Sequence, residues 1–153
     1  MSAKRSCSTK ASRRDLPVSD HLTLGQFLTK DQVEVWPKYV ALDLRLIDKL
    51  ELVIQDLEQR GIKVEHMSVM SGFRTPRYNH SGGNTAGRAN LSRHMYGDAA
   101  DVFVDNDRNG NMDDINGDGR VDRRDAETLA QARELASVSG SAKGQEQIHQ
   151  EYT

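Results

Sequence analysis

Two side chains with metal-ligand chemistry, His94 and Asp101, stand with six residues between them in Ser92-Arg93-His94-Met95-Tyr96-Gly97-Asp98-Ala99-Ala100-Asp101. Gly97 gives the intervening segment a tight turn. An imidazole plus a carboxylate is half of a zinc site; a catalytic site adds one further protein ligand and an open position for water. Asp101 falls in an otherwise apolar run, Ala99 to Val104, where an unpaired carboxylate would be costly and a cation would offset that cost. A buried Asp satisfied by backbone donors, with the His in a surface turn, fits the same residue types equally well.

A second constellation is rich in oxygen. Asp114, Asn116, Asp118, Arg120, Asp122 and Asp125 reproduce the spacing of a twelve-residue calcium loop. Side-chain oxygens fall at positions 1, 3, 5, 9 and 12, Gly119 at position 6 and Val121 at position 8. Arg120, at position 7, would offer only its backbone carbonyl. An overlapping half-match runs through Asp105, Asp107, Asn109, Asn111 and Asp113, and would end on Asn116, which the first loop already claims. Eight Asp crowd into residues 101–125, and without a cation they would repel one another. Hard oxygen ligands suit Ca2+ and leave Zn2+ to the histidine.

These groups need elements to hold them. Leu46, Leu50, Val53 and Leu57 recur at steps of four, three and four, with Ile47 and Ile54 beside them, which predicts a helix over about 41–60 with Gly61 as its stop. His66 to Met70 reads as a strand, the Gly- and Ser-rich stretch 75–93 as a loop, 99–104 as a second strand and 126–138 as a final helix. Trp36 and Tyr39 beside Pro37 read as packing anchors. The fold class is then α+β, a small antiparallel sheet with packed helices. Its domain spans 22–138, between a disordered basic leader, 1–21, and a disordered polar tail, 139–153.

Two ordered motifs, SGFRTPRYN and SRHMYGDAADV, resemble the zinc D-alanyl-D-alanine carboxypeptidase family, whose pattern is Ser-Gly-Tyr-Arg, then Ser-x-His, then Gly-x-Ala-x-Asp. LGQFLTKDQ, VWPKYV and the helix that follows are similar to the branch with an acidic insertion after the Asp strand, and the likeness covers about residues 22–135. It implies a hedgehog/D,D-peptidase-like fold, with His94 and Asp101 as zinc ligands. Arg74 would hold the substrate carbonyl or the charge developing on it, and Ser92 would touch substrate. The implied substrate is a stem peptide of bacterial peptidoglycan, and the implied location is extracytoplasmic.

Family members carry a third zinc ligand, a His on a strand after the last helix. Here the tail offers only His149, within QIHQEYT, with Glu146 and Glu151 nearby. The chain is therefore expected to lack the C-terminal strand, as a truncated relative would. The alternative to a peptidase is a non-catalytic, calcium-stabilised relative that binds cell-wall peptide.

Composition narrows the remaining classes. The net charge of −2 gives no global attraction to nucleic acid. No apolar run approaches the roughly 20 residues of a membrane span, and the basic start lacks the apolar stretch of a signal peptide. Cys7 is the one cysteine, so no internal disulfide forms.

Overall fold

A computed structural model describes residues 14–32, 34 and 37–141, with side chains described as far as Arg133 in the last helix. Trp36, Cys7, His149, Glu146 and Glu151 lie outside the described residues.

Helix α1, Leu44–Gln59, carries the main apolar stripe. Asp43 caps it, its carboxylate accepting the Arg45 N–H at 2.9 Å. All six stripe residues named above are buried, and they meet Leu22, Phe27, Val64, Met67, Val104, Ile115 and Ala132 in one core. Each of these side chains larger than Ala132 contributes roughly 1.5–3 kcal/mol on burial.

Strands β1, Met67–Ser71, and β2, Asp101–Val104, pair antiparallel. Helix α2, Pro76–Ser81, follows β1, and helix α3, Arg123–Ser141, packs on α1. The fold is α+β: helices against a two-stranded antiparallel sheet.

Several expectations need correction. The stretch 75–93 is not all loop, because Thr75 caps a short helix through Tyr78 N–H at 3.1 Å and Pro76 starts it with its fixed φ. β2 begins at Asp101 rather than at residue 99, so Asp101 sits at the strand's mouth with its side chain 44% exposed. Tyr39 is 68% exposed and is no core anchor. Ordered backbone starts before Leu22: Pro17 bridges Thr23, and Leu24 and Gly25 N–H groups donate to Leu16 and Arg14 carbonyls. The strip is held by backbone bonds, which a polar composition does not reveal.

Two close approaches tie the sheet end to its surroundings. Gly97, at φ +73°, has its carbonyl on Asp43 N–H at 2.9 Å, and a Cβ there would lie 2.1 Å from the Ala41 carbonyl oxygen. Gly72 passes Phe27 so tightly that a Cβ would lie 2.7 Å from its Cα, while Phe73 N–H donates to the Phe27 carbonyl.

Gly97→Ala should therefore cost about 3 kcal/mol, combining left-handed strain with overlap, and lower the melting temperature by about 10 °C. Gly61→Ala has a similar positive φ but open space around it; it should cost about 1 kcal/mol. Equal melting shifts in the two variants would show that the approach to Ala41 is not a constraint.

Candidate metal and substrate site

His94 lies in a 3-10 turn, Arg93–Tyr96, that opens on Ser92 and closes on Gly97. The Ser92 hydroxyl is buried and accepts the His94 N–H at 3.3 Å. This bond positions the turn. The Arg74 N–H donates to the His94 carbonyl at 3.0 Å, which lashes the turn to the end of β1.

The His94 ring is oriented by a backbone group. Its Nδ1 lies 2.8 Å from the Gly72 carbonyl oxygen, and a carbonyl only accepts, so Nδ1 carries the hydrogen. The Nε2 lone pair is thereby left for another partner. Burial pushes the imidazole pKa below its ordinary value; the Gly72 carbonyl opposes this, and the Arg74 charge adds to the lowering. The ring is thus held neutral, the form that binds a metal.

Nε2 points toward Asp101, 3.6 Å from Oδ2, too far for a hydrogen bond. A tetrahedral zinc ion places a nitrogen and an oxygen ligand about 3.4 Å apart at ordinary bond lengths. One imidazole nitrogen, one carboxylate oxygen and that spacing fit two zinc ligands. Among the described residues, no third imidazole, thiolate or carboxylate joins them in a metal-sized group.

Arg74 belongs to the same cluster. Its Nη2 donates to Asp101 Oδ2 at 3.2 Å and its Nε to Ser71 Oγ at 2.9 Å, with the side chain only 14% exposed. Burial lowers its pKa and the Asp101 charge opposes that, so it is a cation held against a carboxylate. Asp101 is thus paired; the cost of an unpaired buried carboxylate does not arise. Ser71 and the Gly72 carbonyl are the positioning groups that reading by residue type missed. Their signal was the SGFR motif itself, in which only the arginine announces chemistry.

An apolar hollow of about 270 Å³ between α1, β2 and α3 reaches Asp101, but His94 and Arg74 do not line it. The polar cluster lies beside this hollow, not inside it.

The acidic segment is ordered by its own side chains. Asp105, buried, accepts Asn109 and Gly110 N–H groups, and Asp107 accepts Asn109 N–H. The Asp113 carboxylate accepts Asn106 N–H at 2.7 Å. Asp105, Asp107 and Asp113 each bring one oxygen within 4.8 Å of the others. The half-match, and not the better-spaced loop from Asp114, is where carboxylates converge.

In the Asp114 loop the carboxylates take backbone donors: Asp114 from Gly117 and Gly119, Asp118 from Arg120, and Asp125 from Ile115, Asn116 and Asp122. The Arg124 guanidinium lies 3.0 Å from Asp118 and 3.4 Å from Asp122. Burial pushes the Asp125 carboxyl pKa up, but those three N–H groups outweigh it and hold the pKa below the usual range. Most of the crowded charge therefore has partners already, and repulsion alone does not demand a cation.

With this geometry in place, comparison with known proteins gives one positive finding. A family model described as Peptidase M15 matches residues 28–119, more than half of the chain. The chain belongs to the peptidase M15 family. The match contains Arg74, Ser92, His94 and Asp101 together with the Asp105–Asp113 half of the acidic segment. No curated protein and no solved structure shows significant similarity. Peptidases of the M15 family are zinc-dependent and act on peptides. Among the described residues, no helix is long and apolar enough to cross a membrane.

A zinc titration followed by elemental analysis checks the ligand geometry. Loading is expected to reach about one ion per chain and to fall sharply in His94→Ala and Asp101→Ala. Unchanged zinc content in His94→Ala would place the ion elsewhere.

Proposed function

We propose that this M15 chain is a zinc metallopeptidase of the D-Ala-D-Ala carboxypeptidase type, hydrolysing D-amino-acid-containing bonds of bacterial peptidoglycan stem peptides outside the cytoplasm. The observation that carries this reading is the convergence of His94 Nε2 and the Arg74 guanidinium on Asp101 Oδ2. His94 and Asp101 would hold the zinc. Bound zinc supplies a Lewis acid for the scissile carbonyl and lowers the pKa of its water.

The protein's own groups do the rest. The Gly72 carbonyl keeps the His94 proton on Nδ1, so Nε2 stays a lone-pair donor. The Asp101 carboxylate holds the guanidinium beside it. Arg74 is a fixed cation where negative charge would develop on the substrate oxygen, and such preorganised charge stabilises a transition state without reorganising. The motif likeness supports the D,D-peptide substrate.

One observation favours a second reading, a relative that binds cell-wall peptide without cleaving it: only two ligands converge among the described residues. Hydrolysis separates the two. The zinc-loaded chain should release D-alanine from a peptide ending in D-Ala-D-Ala. Arg74→Ala should lower kcat/KM by about 10²–10³ with zinc content unchanged. A zinc-loaded chain that binds the peptide but releases nothing would establish the second reading.

The same proposal extends to calcium in the acidic segment, in a structural role. Asp105, Asp107 and Asp113 form the converging set, Asn109 and Asn111 join it by sequence spacing alone, and Asp114, Asn116, Asp118, Arg120, Asp122 and Asp125 follow calcium-loop spacing. Saturating calcium at 100 times its Kd should stabilise the protein by about 2.7 kcal/mol. Asp107→Ala should abolish that increment; identical melting curves with and without calcium in the parent protein would refute the idea.

A further inference from the structure

Ser71 occupies an irregular place in the sheet. Val69 pairs with Val102 and Ser71 with Asp101, so β1 spends two residues, Met70 and Ser71, opposite one residue of β2. In a regular ladder side chains alternate faces, and Met70 would stand opposite Asp101 while Ser71 fell on the Val69 face. The extra residue shifts the alternation by one. It brings the Ser71 hydroxyl to the Asp101 face, where it accepts the Arg74 Nε–H at 2.9 Å.

The consequence for Arg74 lies in which edge of its guanidinium is used. Nε and Nη2 form one edge, and that edge spans the sheet, Nε to Ser71 on β1 and Nη2 to Asp101 on β2. The remaining edge, Nη1 with the second Nη2 hydrogen, meets no acceptor among the described residues. An arginine edge of this kind presents two parallel N–H groups to one anionic oxygen or a carboxylate. Asp101 alone would leave the plane free to swing about one contact; the hydroxyl supplies the second.

We propose that Ser71 is a positioning residue that, through the β1 bulge, aims the open edge of Arg74 at the substrate oxygen. This rests on the peptidase reading, in which Arg74 meets that oxygen. The hydroxyl carries no charge, and it acts on the Arg74 plane through the Nε–H bond.

The test compares Ser71→Ala with Ser71→Thr in the zinc-loaded protein, reading kcat, KM, zinc content and the Arg74 Nε–H resonance in 15N-edited NMR. Ser71→Ala is expected to keep its zinc and change KM little. Its kcat should fall about tenfold, and the Nε–H resonance should be lost to fast exchange. Ser71→Thr, which keeps the hydroxyl, should restore both kcat and the resonance. Wild-type kcat in Ser71→Ala, with the parent active, would overturn the Ser71 role and leave the peptidase reading standing. Equal losses in Ala and Thr, with zinc retained, would also overturn it by showing a packing effect. A parent that hydrolyses nothing when zinc-loaded would overturn the peptidase reading and this role with it.

Discussion

Two hydrogen bonds between the end of β1 and the His94 turn support most of what the site can do. The Arg74 amide reaches the His94 carbonyl, and the His94 ring reaches back to the Gly72 carbonyl. One fixes where the turn sits; the other fixes which ring nitrogen stays bare. Both depend on backbone closeness that only glycine permits, at Gly72 against Phe27 and at Gly97 against Ala41. The second contact runs to the residues just before α1, so the turn is anchored to the helix that carries the core. A ligand-bearing turn held only by its own sequence would have no such reference. Fixing a site within about 0.5 Å takes support of this kind.

The charges near the sheet follow the same logic. Arg74 and Asp101 are neighbours across the two strands, and each limits what the other costs when partly desolvated. In the acidic segment most of the compensation comes from the backbone. Asp105, Asp114 and Asp125 each accept at least two main-chain N–H groups. Carboxylates bound in this way organise the turns that carry them, which is why a segment with so little apolar content holds a defined path.

How much of this the sequence foretold depends on the range of the interaction. The α1 stripe was legible because its cause is local periodicity, and all six residues are buried as their spacing demands. Arg74, His94 and Asp101 were legible as a set because two separated motifs announced them. Helix α2 was hidden by its flanking Gly, Asn and Ser, although Thr75-Pro76 is a start signal that could have revealed it. The strand limits near Asp101 were misread because small and β-branched residues mark a strand without marking its ends. The bulge at Met70 and the ring acceptor at Gly72 have no local signature; each exists only through pairing with residues about 20 to 30 positions away. In the acidic segment, spacing favoured the loop from Asp114, but convergence follows the three-dimensional path, which gathers Asp105, Asp107 and Asp113.

The acidic segment also leaves and rejoins the sheet at one point. The Asp105 amide is bonded to the His66 carbonyl, and the Asp113 amide to that of Val104, so residues 105–113 begin and end beside the same strand ends. A loop with touching ends transmits little of its own length to the framework. Residues could be gained or lost between those anchors without shifting the register that sets Ser71 opposite Asp101. Mechanically this segment is a side loop tied off at one point: its path is set between those two anchors, while the Asp101 end of β2 is set by its own pairing with Ser71.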